Sequence, residues 1–564
     1  MTKVLYPQYK PKPGIYEMSE GEFIDHELEP SKYPVWWQGQ SVCKYPLGRV
    51  VSQMWWLNAV QEAAEIMKVP NAKGMDLMMT LDSWGMFYVG TRVDPSEVPA
   101  REEKFREYLM PFIRNAPKMW EEGKREFDAI NKPVFDFCSH KLFNVEDYEL
   151  GMWLDDVFWP AARKAHRLHH TSGMYPFAAL FLLFKMKANE LGWEENNSKF
   201  RKLFSGFDHL VFQVDKKLFE LAMMAKHLNL QEVFKKEPSE IIPSLDQMKE
   251  GKSWLAEFRQ FVDAYGWRNE TFDDCSSPPW IDDPTPAIRH IKGFIGGPEK
   301  FALDLIKEKQ IKEREELTAD LISRAPNEKA GEEIRLLLRG AQTFQIFSEE
   351  HDLYAEQPYN AAGYRIFKEI GKRFQKGGAI DNWEDVFYLS YWEIRNRIID
   401  YISMDFRNLV KRRKKLWAEA NEEAKKRPLW LGDGTLAEPD VALALIAGLG
   451  ISIEKREGAI VSGIPGSPGI VEGVARVIMG VEELDKVQFG EILIVPQTQT
   501  VWTPVFGRIK GVVADFGGIL GHTAIVARDY SVPAVVSTKD GTKKIKTGQR
   551  IRVDGDNGAV YLVK

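Results

Sequence analysis

Apolar residues recur every three or four positions through most of the chain up to about residue 427, with charged residues between them. This spacing predicts amphipathic helices, which are clearest over 102–113, 212–228, 332–347 and 396–424. From about residue 463 the pattern changes to short Val- and Ile-rich runs separated by glycines, which predicts strands with one or two helices. We therefore predict a multidomain chain: a large, mainly α-helical N-terminal domain (1–427), a linker or hinge (428–462) and a C-terminal α/β (β/β/α) domain (463–564).

The stretch 511–529 places a histidine where a glycine-rich loop enters a helix. Residues 511–515 predict a buried strand, the following glycines turn the chain, and small and apolar residues predict a helix from Thr523. Backbone N–H groups and the helix dipole favour an anion at this end of a helix. Because a neutral imidazole is a nucleophile near pH 7, His522 is a candidate phosphoryl carrier. A tight turn with an incidental histidine is the alternative.

Several spaced segments around this loop resemble the phosphohistidine swivelling domain of the PEP-utilising enzymes. They are GSPG at 466–469 with Gly473, TQTVWTP at 498–504, the histidine loop followed by VPAVV at 532–536, and VDGDNG at 553–558. The resemblance implies that 463–564 is such a domain and that His522 is its phosphohistidine. The family usually has Ser or Thr immediately before this histidine, where the present chain has Gly521.

Neighbours of His522 are the candidates for holding the phosphoryl group. The loop glycines and one hydroxyl lie next to it in sequence; these residues are Gly517, Gly518, Gly521 and Thr523. Arg528 follows His522 by about one and a half helical turns. Its guanidinium is placed either to neutralise phosphoryl charge or to form a structural ion pair.

Two histidine-containing stretches lie in the helical region. His166, His169 and His170 share one helical face, a spacing that can bind a metal. No partnering Glu-x-x-His or distant Asp pattern stands out, so we interpret them as core or surface histidines and predict no metal.

The second stretch, SEEHDLY at 348–354, gathers carboxylates, an imidazole and a phenol within two helical turns. His351 is our first candidate for a base acting on an acceptor hydroxyl, with the 166–170 cluster second; a solvated helix face is the alternative. The segment 349–392 also resembles, more weakly, the helical segment before the swivelling domain in rifampin phosphotransferase-like enzymes.

Aromatic residues are abundant, with 17 Trp and 32 Phe. Those nearest the N-terminus are interpreted either as core and interface or as a pocket for a flat apolar ligand. The candidate substrate-binding residues are Trp36, Trp37, Trp55, Trp84 and, further along, Tyr354.

Charge and cysteine content narrow the functional classes. The formal net charge is −6, which argues against nucleic acid or an anionic membrane as partner. Three widely spaced cysteines form no CxxC, so neither structural zinc nor a disulfide framework is indicated. The longest apolar run, 177–184, is too short to span a bilayer, and the N-terminus lacks a signal pattern. We expect a cytoplasmic protein.

The order of a helical, aromatic-rich domain and a terminal swivelling domain resembles the larger subunit of phenylphosphate synthase and related alkylphenol-phosphorylating enzymes. This resemblance implies a hetero-oligomer in which an ATP-grasp-like subunit charges His522 from ATP with Mg²⁺ (or Mn²⁺), and a phenol then receives the phosphoryl group. No Walker A pattern is present, and no barrel follows the swivelling domain, so we expect the donor site on another polypeptide. The alternatives are a subunit that phosphorylates a bulky hydroxylated molecule, as rifampin phosphotransferase does, and a non-catalytic phosphorelay or regulatory protein.

Overall fold

The computed structural model describes residues 35–38, 45, 47, 58–70, 72–79, 86–194, 198–269, 275–297, 299, 301–400, 403–424, 430–432 and 453–563. Within these ranges the chain is mainly helical up to residue 424 and α/β from residue 461. The predicted fold class, a helical N-terminal region followed by a C-terminal α/β domain, is confirmed. The exact domain boundaries at 427 and 462 stay predictions. None of the described helices has the length and apolar character needed to cross a bilayer.

Helices make up most of the described chain before residue 430. In order, they are α1 (Asn58–Met67), α2 (Val98–His140), α3 (Asp147–Trp153), α4 (Trp159–His169), α5 (Tyr175–Glu190), α6 (Ser198–Lys202), α7 (Leu210–His227), α8 (Pro238–Asp246), α9 (Lys249–Tyr265), α10 (Thr285–Ile295), α11 (Ala302–Ser323), α12 (Glu328–Ala355), α13 (Gln357–Lys376), α14 (Tyr391–Ile399) and α15 (Arg407–Ala424). Helix α2 is kinked at Asn115 (φ −157°, ψ 72°), just before Pro117, because proline removes a helical donor and crowds the preceding turn.

Helix α12 is the element on which the site is built. Its N-terminus is capped by Asn327, whose side chain accepts a hydrogen bond from the Ala330 N–H. One apolar face, which includes Ile334, Leu338 and Phe344, is buried against α2 and α5. Packing against both helices fixes the position of α12. The polar side chains near its C-terminal end therefore extend from a helix that is held in place.

A small antiparallel sheet lies outside the predicted helices. It contains β1 (Val35–Gln38), β2 (Ala72–Met79), β3 (Met86–Arg92) and β4 (Trp430–Gly432), in the order β2-β3-β1-β4. β4 comes from within the predicted linker and pairs with β1, with Trp36 opposite Leu431. Part of the segment expected to be a hinge is therefore hydrogen-bonded to the N-terminal region.

The predicted single helical segment over 396–424 is wrong in its middle. Helix α14 ends at Ile399 and α15 begins at Arg407. The Asp405 side chain accepts a hydrogen bond from the Arg407 N–H at 3.0 Å, and the Phe406 N–H donates to the Ala379 carbonyl at 2.8 Å. These alternative partners for the backbone end one helix and start another, a choice that apolar spacing alone does not reveal.

The C-terminal domain is built on one mixed sheet. Its strands are β5 (Val461–Ser462), β6 (Ile464–Ser467), β7 (Ile470–Val477), β8 (Ile492–Val495), β9 (Gly511–Ala514), β10 (Ala534–Val536), β11 (Arg550–Asp554) and β12 (Ala559–Leu562), in the order β5-β12-β11-β7-β8-β9-β10-β6. The central strands β7 to β10 run parallel, and β8 and β9 are buried throughout, as expected for parallel strands covered on both faces. Helix α16 (His522–Asp529) crosses from β9 to β10, and the short α17 (Gly541–Lys544) precedes β11.

One hydrophobic core is shared between the helical region and the C-terminal domain. Side chains of α7 and α10, including Phe212 and Phe294, pack in the same buried cluster as Trp502, Phe506 and Tyr530 of the C-terminal domain. The C-terminal domain is therefore docked on the helices in this structure, and the docked face positions the histidine loop.

Candidate functional site

The histidine loop follows strand β9 and ends in helix α16. Gly517 has φ +108°, a conformation that L side chains rarely adopt, so a glycine is required at this turn. Gly521 is the N-cap and His522 the first residue of α16. Because ligands of parallel α/β sheets bind beyond the carboxyl ends of the strands, the loop lies where such a fold places its reactive group.

The tip of this loop enters the core of the helical region. Ile519 and Leu520 are 4% and 2% exposed and belong to the same buried cluster as residues of α2, α4, α5 and α12. The hydrophobic tip brings the start of α16 against the C-terminal part of α12. The docking of two domains therefore determines the surroundings of His522.

His522 contacts a buried carboxylate of the helical region. Its Nδ1 lies 2.7 Å from Oε2 of Glu349, whose side chain is 0% exposed, while the His522 side chain is 11% exposed. The other ring nitrogen, Nε2, lies 3.4 Å from Oγ1 of Thr503. A carboxylate accepts the Nδ1–H hydrogen bond, which fixes the neutral ring in the tautomer whose Nε2 carries the lone pair. Nε2 is then the ring nitrogen with the available lone pair.

Glu349 belongs to a polar stripe on α12. Gln345, Glu349 and Asp352 are spaced i, i+4 and i+7, so they lie on one helix face. Each contacts the C-terminal domain: Arg528 Nη2 donates to Gln345 at 3.0 Å, His522 meets Glu349, and the Thr500 hydroxyl donates to Asp352. The sequence-based prediction treated the carboxylates of 348–354 only as neighbours of His351 and did not select Glu349. The recurrence of three polar side chains on one face of an otherwise buried helix could have indicated it.

The predicted phosphoryl-binding side chains have other partners in the docked arrangement. The Thr523 hydroxyl lies 2.8 Å from that of Thr498 and is buried. Arg528 donates to the carbonyls of Gly466 at 3.1 Å and Ile519 at 2.7 Å, so it supports the loop from beneath. Neither forms a hydrogen bond to His522 among the described contacts. Of the predicted phosphoryl-binding groups, the loop backbone with its glycines at 517, 518 and 521 is therefore the one next to the imidazole.

His351, the predicted base, does not contact His522 in this arrangement. Its Nδ1 lies 3.2 Å from Oε2 of Glu356, and its ring stacks on His169 with ring centroids 4.5 Å apart. The 166–170 cluster is fully buried: Nδ1 of His166 is 3.1 Å from the Ala162 carbonyl and Nδ1 of His170 is 2.8 Å from the His166 carbonyl. Burial holds the pKa of His169 well below its ordinary value, and His351 adds to the effect.

The aromatic candidates divide into two groups. Tyr354 packs edge-on against Trp120 and near Phe127, and burial raises its pKa, so its ring belongs to the aromatic core between α2 and α12. Trp55 and Trp84 lie outside the described residues. Trp36 and Trp37 are described only as backbone of β1. Their predicted role in substrate binding stays a prediction.

Asp215 and Tyr530 form a buried polar pair between α7 and the C-terminal domain. The Tyr530 hydroxyl donates to Oδ2 of Asp215 at 3.1 Å. Burial raises the pKa of Asp215 to about 8, against the opposing effect of the Arg268 guanidinium. The folded protein therefore keeps a proton on Asp215 through neutral pH, whereas the unfolded chain releases it at the ordinary value for an aspartate of about 4.

This pair gives a prediction about pH and stability. Because the folded state binds the extra proton, its stability falls as pH rises from about 4 towards about 8. Asp215→Asn stays neutral and can still accept a hydrogen bond from Tyr530. We expect its melting temperature, relative to that of wild type, to be a few °C higher at pH 8 than at pH 5, which corresponds to about 1–3 kcal/mol of unfolding free energy. Scanning calorimetry at both pH values measures the difference, with the exposed Asp208→Asn as control. Parallel pH curves for wild type and Asp215→Asn would contradict the assignment.

The geometry defines an arrangement: an α/β domain holds a histidine at a loop–helix junction and packs that junction against a helical region. Comparison with known proteins agrees. Residues 487–558 match the family model described as the mobile domain of PEP-utilising enzymes, and residues 168–349 match the fourth domain of rifampicin phosphotransferase. The C-terminal domain is thus a swivelling domain of the kind found in the PEP-utilising enzymes.

Several known proteins are similar to parts of this chain. The chain is 25% identical over 391 residues to the uncharacterized phosphotransferase YvkC of Bacillus subtilis, covering 69% of this chain and 46% of that protein. It is 28% identical over 331 residues to the rifampicin phosphotransferase of Bacillus cereus, covering 58% and 36%. The phosphoenolpyruvate synthase of Aeropyrum pernix is 43% identical over 103 residues, which is 18% of this chain and 13% of that protein. The chain spans less than half the length of these relatives.

Proposed function

We propose that this protein is a phosphotransferase that carries a phosphoryl group on Nε2 of His522 and delivers it to a hydroxyl of a bulky organic molecule bound by the helical region. The observation that carries the proposal is the 2.7 Å contact between Nδ1 of His522 and Oε2 of Glu349. It joins the carrier loop to a buried carboxylate of the region that matches the fourth domain of rifampicin phosphotransferase.

In the first half-reaction Nε2 attacks the donor phosphorus. The N–P bond forms, the bond from phosphorus to the donor's leaving oxygen breaks, and the proton on Nδ1 stays on the ring. The helix N-terminus and loop N–H groups then face the phosphoryl oxygens. We propose ATP with Mg²⁺ (or Mn²⁺) as donor, held by a separate ATP-grasp-like subunit. No residue of this chain is assigned to the nucleotide.

In the second half-reaction the acceptor oxygen attacks phosphorus as the N–P bond breaks. The hydroxyl proton has two acceptors at hand: the departing Nε2, whose imidazolium Glu349 would stabilise, and the carboxylate itself. Oε1 of Glu349 is buried and has no hydrogen-bond partner among the described residues. A buried acceptor of this kind is costly unless a ligand satisfies it, which suits an incoming hydroxyl. Glu349 therefore replaces His351 as our first choice for the group that handles this proton.

The relatives favour a bulky acceptor over a phenol. The relatives include rifampicin phosphotransferases at 28% identity, and their names give rifampicin as the substrate. The phenolic acceptor rests on the resemblance to phenylphosphate synthase alone.

An acceptor panel tests the proposed specificity. The protein is charged with labelled ATP and a candidate ATP-binding subunit, freed of nucleotide, and mixed with rifampicin, other macrocyclic alcohols, phenol and alkylphenols. With one or more large alcohols we expect the charged protein to lose its label and a phosphorylated product to be detected by mass spectrometry. The rate of label loss should be at least tenfold higher than with any phenol. A preference for phenols would reverse the assignment. Discharge only onto another protein, with no small-molecule product, would instead identify a relay.

A further inference from the structure

A second polar cluster lies beside the carrier site and has no role in the proposed transfer. His169 ends α4, His351 lies on α12, and Glu356 sits between α12 and α13. Nδ1 of His169 is 3.2 Å from Oε1 of Glu356, and Nδ1 of His351 is 3.2 Å from Oε2 of the same carboxylate. One ligand atom from each residue lies within 4.8 Å of the other two. The fold thus brings together three groups that are up to 187 positions apart in the sequence.

The cluster is enclosed, and one imidazole in it is unsatisfied. The side chains of His169 and Glu356 are 3% and 2% exposed, whereas that of His351 is 18% exposed. Nδ1 of His169 approaches the Glu356 carboxylate but forms no hydrogen bond of good geometry to it, and Nε2 has no hydrogen-bond partner among the described residues. Buried polar atoms are nearly always paired in folded proteins, so a fully buried imidazole without a well-formed hydrogen bond indicates a missing partner.

We propose that His169, His351 and Glu356 bind one divalent transition-metal ion of the zinc, manganese or iron type. Two imidazoles and one carboxylate are ligands that these ions accept, and three protein ligands leave at least one coordination position open. With bonds of about 2.1 Å, ligand atoms at right angles lie about 3 Å apart and opposed ones about 4.2 Å apart. The 3.2 Å separations to Glu356 match the first case.

Binding requires a small local rearrangement. The two imidazoles are stacked, 10° from parallel, and a metal must lie near the plane of each ring that it binds. Each ring therefore turns about its Cβ–Cγ bond so that both nitrogens meet at Glu356. The partly exposed side of His351 gives the ion an entry path and places its open position towards solvent.

The site lies close enough to the carrier site to influence it. His351 and Glu349 are two residues apart on α12, a rise of about 3 Å along the helix axis. Asp352, next to His351, accepts a hydrogen bond from Thr500 of the mobile domain. An ion at His351 would add positive charge next to the docked histidine loop, where a phosphoryl group is delivered.

Metal titration of the full chain tests the proposal without any activity assay. Metal-free protein is titrated with Co²⁺ and followed by the visible d–d absorption of the bound ion, then with Zn²⁺ by calorimetry. We expect one ion per chain with a dissociation constant in the micromolar range or below, and a melting temperature that rises with saturating Zn²⁺. Absence of a Co²⁺ spectrum and of Zn²⁺ heat in folded wild type would overturn the proposal.

Variants identify the ligands. His351→Gln and Glu356→Gln should each weaken binding roughly 100-fold or more while circular dichroism shows folded protein, since loss of a ligand costs at least as much as the loss of a supporting contact. His170→Gln is the matched control, because His170 lies next to His169 but bonds to the His166 carbonyl. Unchanged binding in both ligand variants, or an equal loss in His170→Gln, would show that these three residues do not form the site.

Discussion

We expect His522→Asn to reduce phosphoryl uptake by the protein by at least 10³-fold, to background. In the proposed mechanism the imidazole is the nucleophile that forms the N–P bond, and an amide has no lone pair of comparable reactivity. Asparagine keeps an N–H donor on the side that faces Glu349, so the loop and the docked domain should persist. Uptake is measured as protein-bound label after incubation with labelled ATP and the candidate ATP-binding subunit.

A control variant and the chemical stability of the adduct complete this experiment. His227→Asn alters an exposed histidine at the end of α7 and should retain full uptake. The adduct should be labile to acid and stable to base, as N–P bonds of histidine are. Equal labelling of His522→Asn and wild type would remove His522 from the reaction, and with it the carrier mechanism.

The strand, loop and helix that hold His522 could be predicted from sequence because they are local. Residues 511–529 contain the strand, the glycine turn and the start of the helix, and the structure has β9 ending at Ala514 and α16 starting at His522. A strand run, a glycine that must take positive φ and a helix of small residues each leave their own pattern. The position of His522 at the junction follows from these patterns together.

The surroundings of His522 could not be predicted in the same way, since they depend on contacts between distant segments. Glu349 and His522 are 173 positions apart. Their approach depends on Ile519 and Leu520 entering the helical core, and apolar residues in a glycine loop do not indicate which surface they will meet. The choice of His351 as base followed residue type. In the structure, the rotation around α12 places Glu349 on the docked face and turns His351 towards His169 of α4.

Docking also constrains how the domain works. Trp502, Phe506 and Tyr530 are buried against α7 and α10, and the imidazole of His522 is only 11% exposed. Under the proposed mechanism a donor site on another polypeptide would have to reach a ring in this position, so charging His522 would require the domain to leave the helices. The buried polar contacts at Gln345, Glu349 and Asp352 would then be exchanged for water, which keeps the difference between docked and released states small enough for both to be used.

Glu349→Gln separates the two half-reactions. In the released state Glu349 does not face the imidazole, so the variant should be phosphorylated at a rate within about threefold of wild type. In the docked state the neutral amide can still accept from Nδ1–H, but it cannot stabilise an imidazolium or take a proton, contributions that are typically worth 10²–10⁴-fold. We therefore expect discharge onto the acceptor to slow by about 10²–10³-fold in single-turnover measurements that follow loss of label from charged protein.

The adjacent glutamate supplies the control for this prediction. Glu350 accepts hydrogen bonds from Trp120 Nε1 at 2.9 Å and from the Leu210 N–H at 3.0 Å, so it lies on the other side of α12 and supports packing. Glu350→Gln removes the same charge from the same turn of helix and should discharge within about fivefold of wild type, since a buried neutral acceptor can replace a carboxylate towards these donors. If both variants slow equally, negative charge near the loop matters rather than contact with His522. If Glu349→Gln discharges normally, the carboxylate merely packs against the ring and the acceptor hydroxyl loses its proton elsewhere.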